Sequence, residues 1–327
     1  MSTKTDTIAA RAAGTAPARR RRTRRRYLTV AAFLSPWIVG FLALYVYPML
    51  ASLYYSFTKY DGGAAGPRWT GLSNYRFMFS QDPYFWLSLR NTVWMVLVSV
   101  PLSIVVGVGA AYVLTKPRRG RAFYRTAFFL PTMVPAVAAA VAFLFLLHAG
   151  GPLDHILGFF HLPQPLWFLS AQWSKPGLVV IGLWGIGSTM IIFLAALLDV
   201  PTHLYEAADI EGASAWQKLR HITLPMISPV IFFTAVIGVI YGFQYFTEAY
   251  VVGASIGGAA GSSSSSLGAP QGSTLFYTIW LYQQGFEAFH LGYASAMAWM
   301  LFVIVMAFTL VLIKSSNRWV FYQGGFR

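Results

Sequence analysis

Charge-free apolar stretches of about 20 residues recur along this chain, and they exclude most soluble folds. A helix of about 20 apolar residues crosses a hydrocarbon core about 30 Å thick. Six such spans are expected, at Val30–Phe57, Asn91–Thr115, Phe123–Leu147, Leu178–Leu198, Pro229–Val252 and Tyr293–Ile313. Prolines such as Pro36, Pro48, Pro101, Pro131 and Pro135 fall in or beside them. In a packed bundle, neighbouring helices and hydroxyls satisfy the backbone groups that proline frees. Only 10% of the residues are charged and 57% are hydrophobic, too little polar surface to cover a soluble core. The fold class is therefore an all-α integral membrane protein of about six transmembrane helices. The chain has no cysteine, which excludes disulfides, iron–sulfur clusters and thiolate zinc sites.

The formal net charge of +14 invites a nucleic-acid reading, so its location matters. Much of it is one run, Arg19 to Arg26, which abuts the first apolar stretch. Nucleic-acid readers spread charge over a folded face. A basic block against a span is instead the cytoplasmic flank of a first membrane helix, in contact with anionic lipid. Residues 1–29 are read as a basic cytoplasmic tail and 30–327 as a transmembrane domain, with no nucleic acid as partner. The stretch from Thr23 to Leu28 loosely matches a twin-arginine export signal, but the apolar run that follows is too long for a cleaved leader. Lys116, Arg118, Arg119, Arg121 and Arg125 cluster between the second and third spans, and Lys314, Arg318 and Arg327 follow the last. By the positive-inside rule both termini are expected in the cytoplasm. The loop 199–225 then lies on the same side although it is not basic, so its composition serves something other than topology. On the opposite side, the segment from Gly253 to Ser273, with its run Ser262 to Ser266, reads as a flexible loop.

The segment from Glu206 to Pro225 reads as two short helices broken at Gly212. Glu206, Ala207 and Ala208 favour helix. Gly212 can take the positive φ that ends one, residues 213–221 can restart, and Pro225 can open the next span. Small residues at Ala207, Ala208, Gly212 and Ala213 permit close approach of another surface.

This segment resembles the E-A-A-x3-G-x9-I-x-L-P signature of the permeases of binding-protein-dependent ABC importers. Glu206, Ala207, Ala208, Gly212, Ile222, Leu224 and Pro225 fall at the family's spacing. Glu211 stands where the sugar-transport branch usually has aspartate. Further similarity to that branch runs through Tyr60-Asp61-Gly62, Trp69 to Tyr75, Phe85-Trp86, Arg90-Asn91-Thr92 and Phe289 to Ala298. The branch's usual Gly-Gly-Pro after the fifth span is disturbed, because serine-rich sequence separates Gly257-Gly258 from Pro270.

The resemblance implies the type I importer permease fold and a half-pore in a bacterial cell membrane. It implies a second permease subunit, homologous or identical, with this branch resembling heteromeric systems, and a dimer of ATPase subunits that uses ATP and Mg. It also implies an extracytoplasmic solute-binding protein that delivers a sugar or related polyol. This chain itself would bind no cofactor and catalyse nothing. Residues 206–225 would be the coupling helix seated in a groove of the ATPase. Consistently, no G-x-x-x-x-G-K-[ST] loop occurs. Aligned on the elbow with the maltose importer's permease, Ser188, Tyr241 and Tyr245 match positions that line its sugar path. Gln244 lies beside them on the fifth span, where amide, hydroxyl and aromatic groups suit a sugar. Helix packing is the other reading of these aromatics. Gly238 and Gly242 read as a G-x-x-x-G packing pair.

Rival readings are weaker. Gly253-Ala254-Ser255-Ile256-Gly257 matches a nucleophile elbow in letters but lacks the strand-to-helix context. His148, His155 and His161 lack a helical metal-ligand spacing. An ion-driven transporter buries carboxylates at mid-membrane. Only Glu248 is available, and it is expected near the outer end of its span.

Overall fold

A computed structural model describes residues 16–116, 120–259 and 268–321. The Ser262 to Ser266 run, Arg118, Arg119 and Arg327 lie outside the described residues. The chain divides into two units, 1–55 and 56–327. In the first, α1 (Ala16–Phe41) passes through a π turn (Leu42–Val46) into α2 (Tyr47–Ser56). Thr29–Ser56 is an apolar stretch of 28 residues, long enough to cross a membrane. Pro36 stays inside the helix, and the Ser35 hydroxyl donates to the Ala32 carbonyl one turn back.

The second unit opens with a two-residue antiparallel ladder, β1 (Thr58–Lys59) against β2 (Arg68–Trp69), and the short helix α3 (Ser73–Ser80). Next comes α4 (Pro83–Thr115), which starts about two turns before the expected Asn91. The cause is local. Asp82 accepts hydrogen bonds from the amides of Tyr84 and Phe85, and Pro83 occupies the first turn, where its missing N–H is harmless.

The third expected span is a broken pair rather than one helix. α5 (Arg121–Phe129) and a 3₁₀ turn (Leu130–Met133) meet α6 (Ala136–Leu146) at a 99° bend. Val134 is extended because it precedes Pro135, whose ring disfavours a helical residue before it. After α7 (Pro152–Phe159), the fourth span is also broken. α8 (Ser174–Trp184) and α9 (Gly187–Leu198) are bent by 53°.

The fifth hydrophobic run joins α10 (Thr202–Ile210), α11 (Ala215–Lys218), a π turn (Leu219–Thr223), α12 (Leu224–Phe243) and α13 (Thr247–Ala259). Residues 245–246 are non-helical, so this run is interrupted in its middle. α13 extends past Val252, and Gly253 to Ala259 are helical where the sequence suggested flexible loop. Ser255 donates back to the Val251 carbonyl, and Ile256 packs on a buried cluster that steadies these turns. Glu248 sits in the first turn of α13, next to the interruption, not near the end of its helix. The chain closes with α14 (Tyr277–Tyr282), a π turn (Gln283–Glu287) and α15 (Leu291–Ser316). Among the described residues, four helices are long and apolar enough to span a membrane, or up to six when each bent pair counts as one.

Of the four buried clusters in the described part of the second unit, two position the site. Near the elbow, Ala111, Leu114, Phe193, Leu197 and Ile227 join α4, α9 and α12. Around the interrupted run, Met95, Leu178, Val252, Phe276 and Ile279 join α4, α8, α13 and α14. Gly238 and Gly242 do serve packing. A Cβ on Gly238 would stand 3.1 Å from a Val100 methyl, and one on Gly242 would stand 2.9 Å from a Val96 methyl.

Candidate functional site: the elbow and the interrupted helices

The elbow is built by two reciprocal caps. Gly212 has φ of +73°, a conformation that costs glycine nothing and strains most other residues. Its amide donates to the Asp209 carbonyl at 3.1 Å, and the Ala213 amide donates to the Ala208 carbonyl at 2.9 Å. This paired closure ends α10 and satisfies carbonyls that the helix end would leave open. Two residues later a capping box opens α11. The Gln217 amide donates to Ser214 Oγ at 3.3 Å, and the Ser214 amide donates to Gln217 Oε1 at 2.7 Å. The pattern Ser214-x-x-Gln217 is visible in the sequence as a helix start, yet motif spacing alone did not single it out.

The arms are also tied across the glycine. Lys218 Nζ bonds Asp209 Oδ1 in the only ion pair among the described residues. Of the motif residues, Glu206, Ala207 and Gly212 are exposed. Ala208 turns inward, and Ile222 and Leu224 pack on the Phe193–Ile227 cluster. Pro225 lies in the first turn of α12. At the tip, Ile210 is 89% exposed and Trp216 is 64% exposed. These are two large apolar side chains presented to solvent on a turn whose other residues are small or polar. Neither belongs to the spacing motif, so the motif missed them.

The four pathway candidates lie at helix interruptions. Ser188 is exposed in the first turn of α9, just past the 53° bend. Tyr241 is 69% exposed in the last turn of α12, and Gln244 is the exposed residue that caps it. Tyr245 lies in the interruption itself. Its ring meets Phe276 edge-on at 5.4 Å, and its carbonyl accepts a 2.6 Å bond from Thr278 Oγ1. Its hydroxyl is buried and has no hydrogen-bond partner among the described residues. Tyr241, Gln244 and Tyr245 are thus together at one break, and Ser188 is at another. Within this chain the Tyr245 ring packs against Phe276, whereas Tyr241 is exposed. His148 and His155 bond to carbonyls one turn back, Phe145 at 2.6 Å and Gly151 at 2.9 Å.

The chain thus sets broken apolar helices on either side of a polar elbow. The chain belongs to the family of binding-protein-dependent transport system inner membrane components, whose model matches residues 99–320. A probable ABC transporter permease, YesP of Bacillus subtilis, is 40% identical over 92% of this chain and 94% of its own length. The arabinooligosaccharide permease AraP of the same organism is 29% identical over 87% of each chain. The lactose permease LacF of Rhizobium radiobacter is 28% identical over 88% of this chain and 93% of its own. In fold, the chain matches a subunit of a bacterial alginate ABC transporter, solved with an alginate-bound periplasmic protein. The TM-score is 0.73 at 21% identity, covering 91% of this chain and 96% of that one. The chain is a multi-pass membrane permease of the type I ABC importer fold, in a family of transport permeases.

Proposed function

We propose that this chain forms half the pore of an ATP-driven importer for a saccharide or related polyol and that residues 206–225 couple it to a separate ATPase. The observation that carries the coupling is the elbow's exposed apolar tip, Ile210 and Trp216, set on a turn fixed at both ends by caps. Such a tip suits insertion into a groove of a partner. In the free chain it leaves apolar area in water, at about 25 cal/mol per Å². Relatives named for arabinooligosaccharide and lactose transport support the saccharide class. So do the hydroxyl, amide and aromatic groups of Ser188, Tyr241, Gln244 and Tyr245 at the breaks, where transporters commonly bind cargo.

In this mechanism a dimer of ATPase subunits, using ATP and Mg, closes on the cytoplasmic side. The elbow moves with it and carries α12. The two permease halves, this chain and a different homologous one, rock between inward-open and outward-open states. An extracytoplasmic solute-binding protein presents the cargo, and both termini of this chain lie in the cytoplasm.

The test is reconstitution with a partner ATPase, second permease and binding protein. ATP-dependent uptake of radiolabelled oligosaccharides into proteoliposomes is measured across a panel of neutral and acidic sugars and polyols. Uptake of at least one, with loss of co-purified ATPase in Trp216→Asp, is the expected result. No sugar or polyol taken up, or undiminished ATPase binding by Ile210→Asp/Trp216→Asp, overturns the corresponding half of the proposal.

A further inference from the structure

Tyr205 and Thr223 stand outside the spacing motif, and their hydroxyls meet at 2.9 Å. Thr223 is almost wholly buried and donates its own hydroxyl hydrogen to the Lys218 carbonyl at 3.2 Å. Tyr205 is therefore the donor in the first bond, and the order is Tyr205 O–H to Thr223 O–H to Lys218 C=O. Lys218 is held a second time, through its ammonium on Asp209.

The spacing explains why both contacts can exist. Tyr205 and Asp209 are four apart in α10 and share a face. Their partners Thr223 and Lys218 are five apart. On a regular α-helix of 3.6 residues per turn, residues five apart point in divergent directions. Leu219–Thr223 is a π turn, with the Leu224 amide donating to the Leu219 carbonyl. That wider turn brings Lys218 and Thr223 back toward one face. The π turn sets the second arm in register with the first, so the arms are clasped at two points instead of one. The Tyr205 ring packs on the buried cluster that holds Leu197, Val200 and Ile227, where α9, α10 and α12 converge.

We infer that Tyr205 and Thr223 are positioning residues that make the elbow and the start of α12 one rigid lever, so that motion of the tip is delivered to the pore helix. This rests on the coupling role proposed for residues 206–225. With the hydroxyl contact removed, the tip, its caps and the Asp209–Lys218 pair are untouched, so the ATPase still docks. α10 then swings about the one remaining tie, and motion is lost before it reaches α12.

The chain is free of cysteine, which permits site-specific spin labels at His203 on α10 and Phe233 on α12, both exposed. Pulsed electron-electron distances are measured in the assembled transporter without nucleotide and trapped with MgATP and vanadate. The unclasped comparison uses Tyr205→Phe and Thr223→Val, with Thr223→Ser as the conservative variant that keeps the hydroxyl. ATPase co-purification is recorded for each. The labelled parent should give one narrow distance, unchanged on trapping. Tyr205→Phe and Thr223→Val should retain the ATPase and at least double the width of the distribution. Thr223→Ser should restore it. The double variant should be no broader than either single one, because the two hydroxyls act as one contact. Widths equal to the parent's in both single variants overturn the lever. So does a Thr223→Ser variant as broad as Thr223→Val. Failure of the labelled parent to bind the ATPase would instead refute the coupling role on which the lever rests.

Discussion

The indole Nε1 of Trp280 donates to Oδ2 of Asp82 at 2.7 Å, joining residues 198 apart in sequence. The same oxygen accepts the Tyr293 hydroxyl, and Oδ1 caps the start of α4. One buried carboxyl thus binds the beginnings of α4 and α15 to α14. It also walls a cleft of about 650 Å³ lined by Tyr84, Trp280, Gln284 and His290.

Asp82→Asn should therefore destabilise the bundle without touching the elbow. An amide supplies one acceptor oxygen and one donor nitrogen, whereas all four neighbours of Asp82 are donors. Either orientation leaves donors facing a donor. Unpaired buried polar groups each cost about 1–3 kcal/mol. The unfolding midpoint in detergent, followed by tryptophan fluorescence, should fall by roughly 5–10 °C on that basis. A midpoint within 1 °C of the parent's would mean that the carboxyl is not the tie described.

A second stability prediction concerns close approach. A Cβ on Gly187 would run into the Phe128 carbonyl oxygen and stand 2.7 Å from Phe129 Cα, both backbone atoms that cannot swing aside. Gly109 has nothing within 4 Å of the same position. Gly187→Ala should lower membrane yield and stability, by roughly 1–3 kcal/mol as for other overpacked sites. Gly109→Ala should not. Size-exclusion profiles and melting of the two purified variants separate them, and equal behaviour would contradict the packing of α9 against the turn at 128–132.

The spans were legible because apolar length is a direct property of sequence. Their breaks were less so. Pro131 and Pro135 are visible as letters, but a proline in a membrane helix is tolerated or kinks it according to its neighbours, so the 99° bend was not readable. The early start of α4 could have been read from Asp82-Pro83, a cap followed by a first-turn proline. The elbow was readable down to its pivot, since few residues other than glycine accept φ near +73°. Its internal ties were not. Asp209 with Lys218 and Tyr205 with Thr223 depend on a π turn that no residue type announces. The Asp82 tie joins segments from opposite ends of the unit, and sequence separation hid it.

Topology gives a further expectation. If both termini are cytoplasmic, the loop between β1 and β2 faces outward and the residues after α15 face inward. Ala65 and Asn317 are exposed in the two regions. Cysteines placed singly at these positions can be probed with a membrane-impermeant maleimide in intact cells. Ala65→Cys should label and Asn317→Cys should label only after permeabilisation. The reverse pattern would invert the orientation and put the elbow on the wrong side for an ATPase.

The pivot at Gly212 separates two causes of failure. No atom lies within 4 Å of the place a Cβ would occupy, so within this chain a side chain there meets open space. The internal cost of substitution is then conformational. A single residue held in the left-handed region costs on the order of 1–2 kcal/mol, less for asparagine and aspartate. That cost falls on the elbow, and the span-forming helices should insert normally. On the proposed coupling role a docked partner would add a second cost, because its surface would close over the small residues Ala207, Gly212 and Ala213. Gly212→Asp has low backbone strain and a charge, so it isolates the second cost. We expect Gly212→Asp to reach parental membrane levels and to lose co-purified ATPase at least tenfold. Gly212→Val, with both costs, should be no better, and Gly212→Ala should fall between it and the parent. Quantitative immunoblotting of tagged ATPase recovered with each variant measures the series. If Gly212→Asp retained the ATPase at the parental level, the partner would not approach this turn, and residues 206–225 would lose their place as the coupling element.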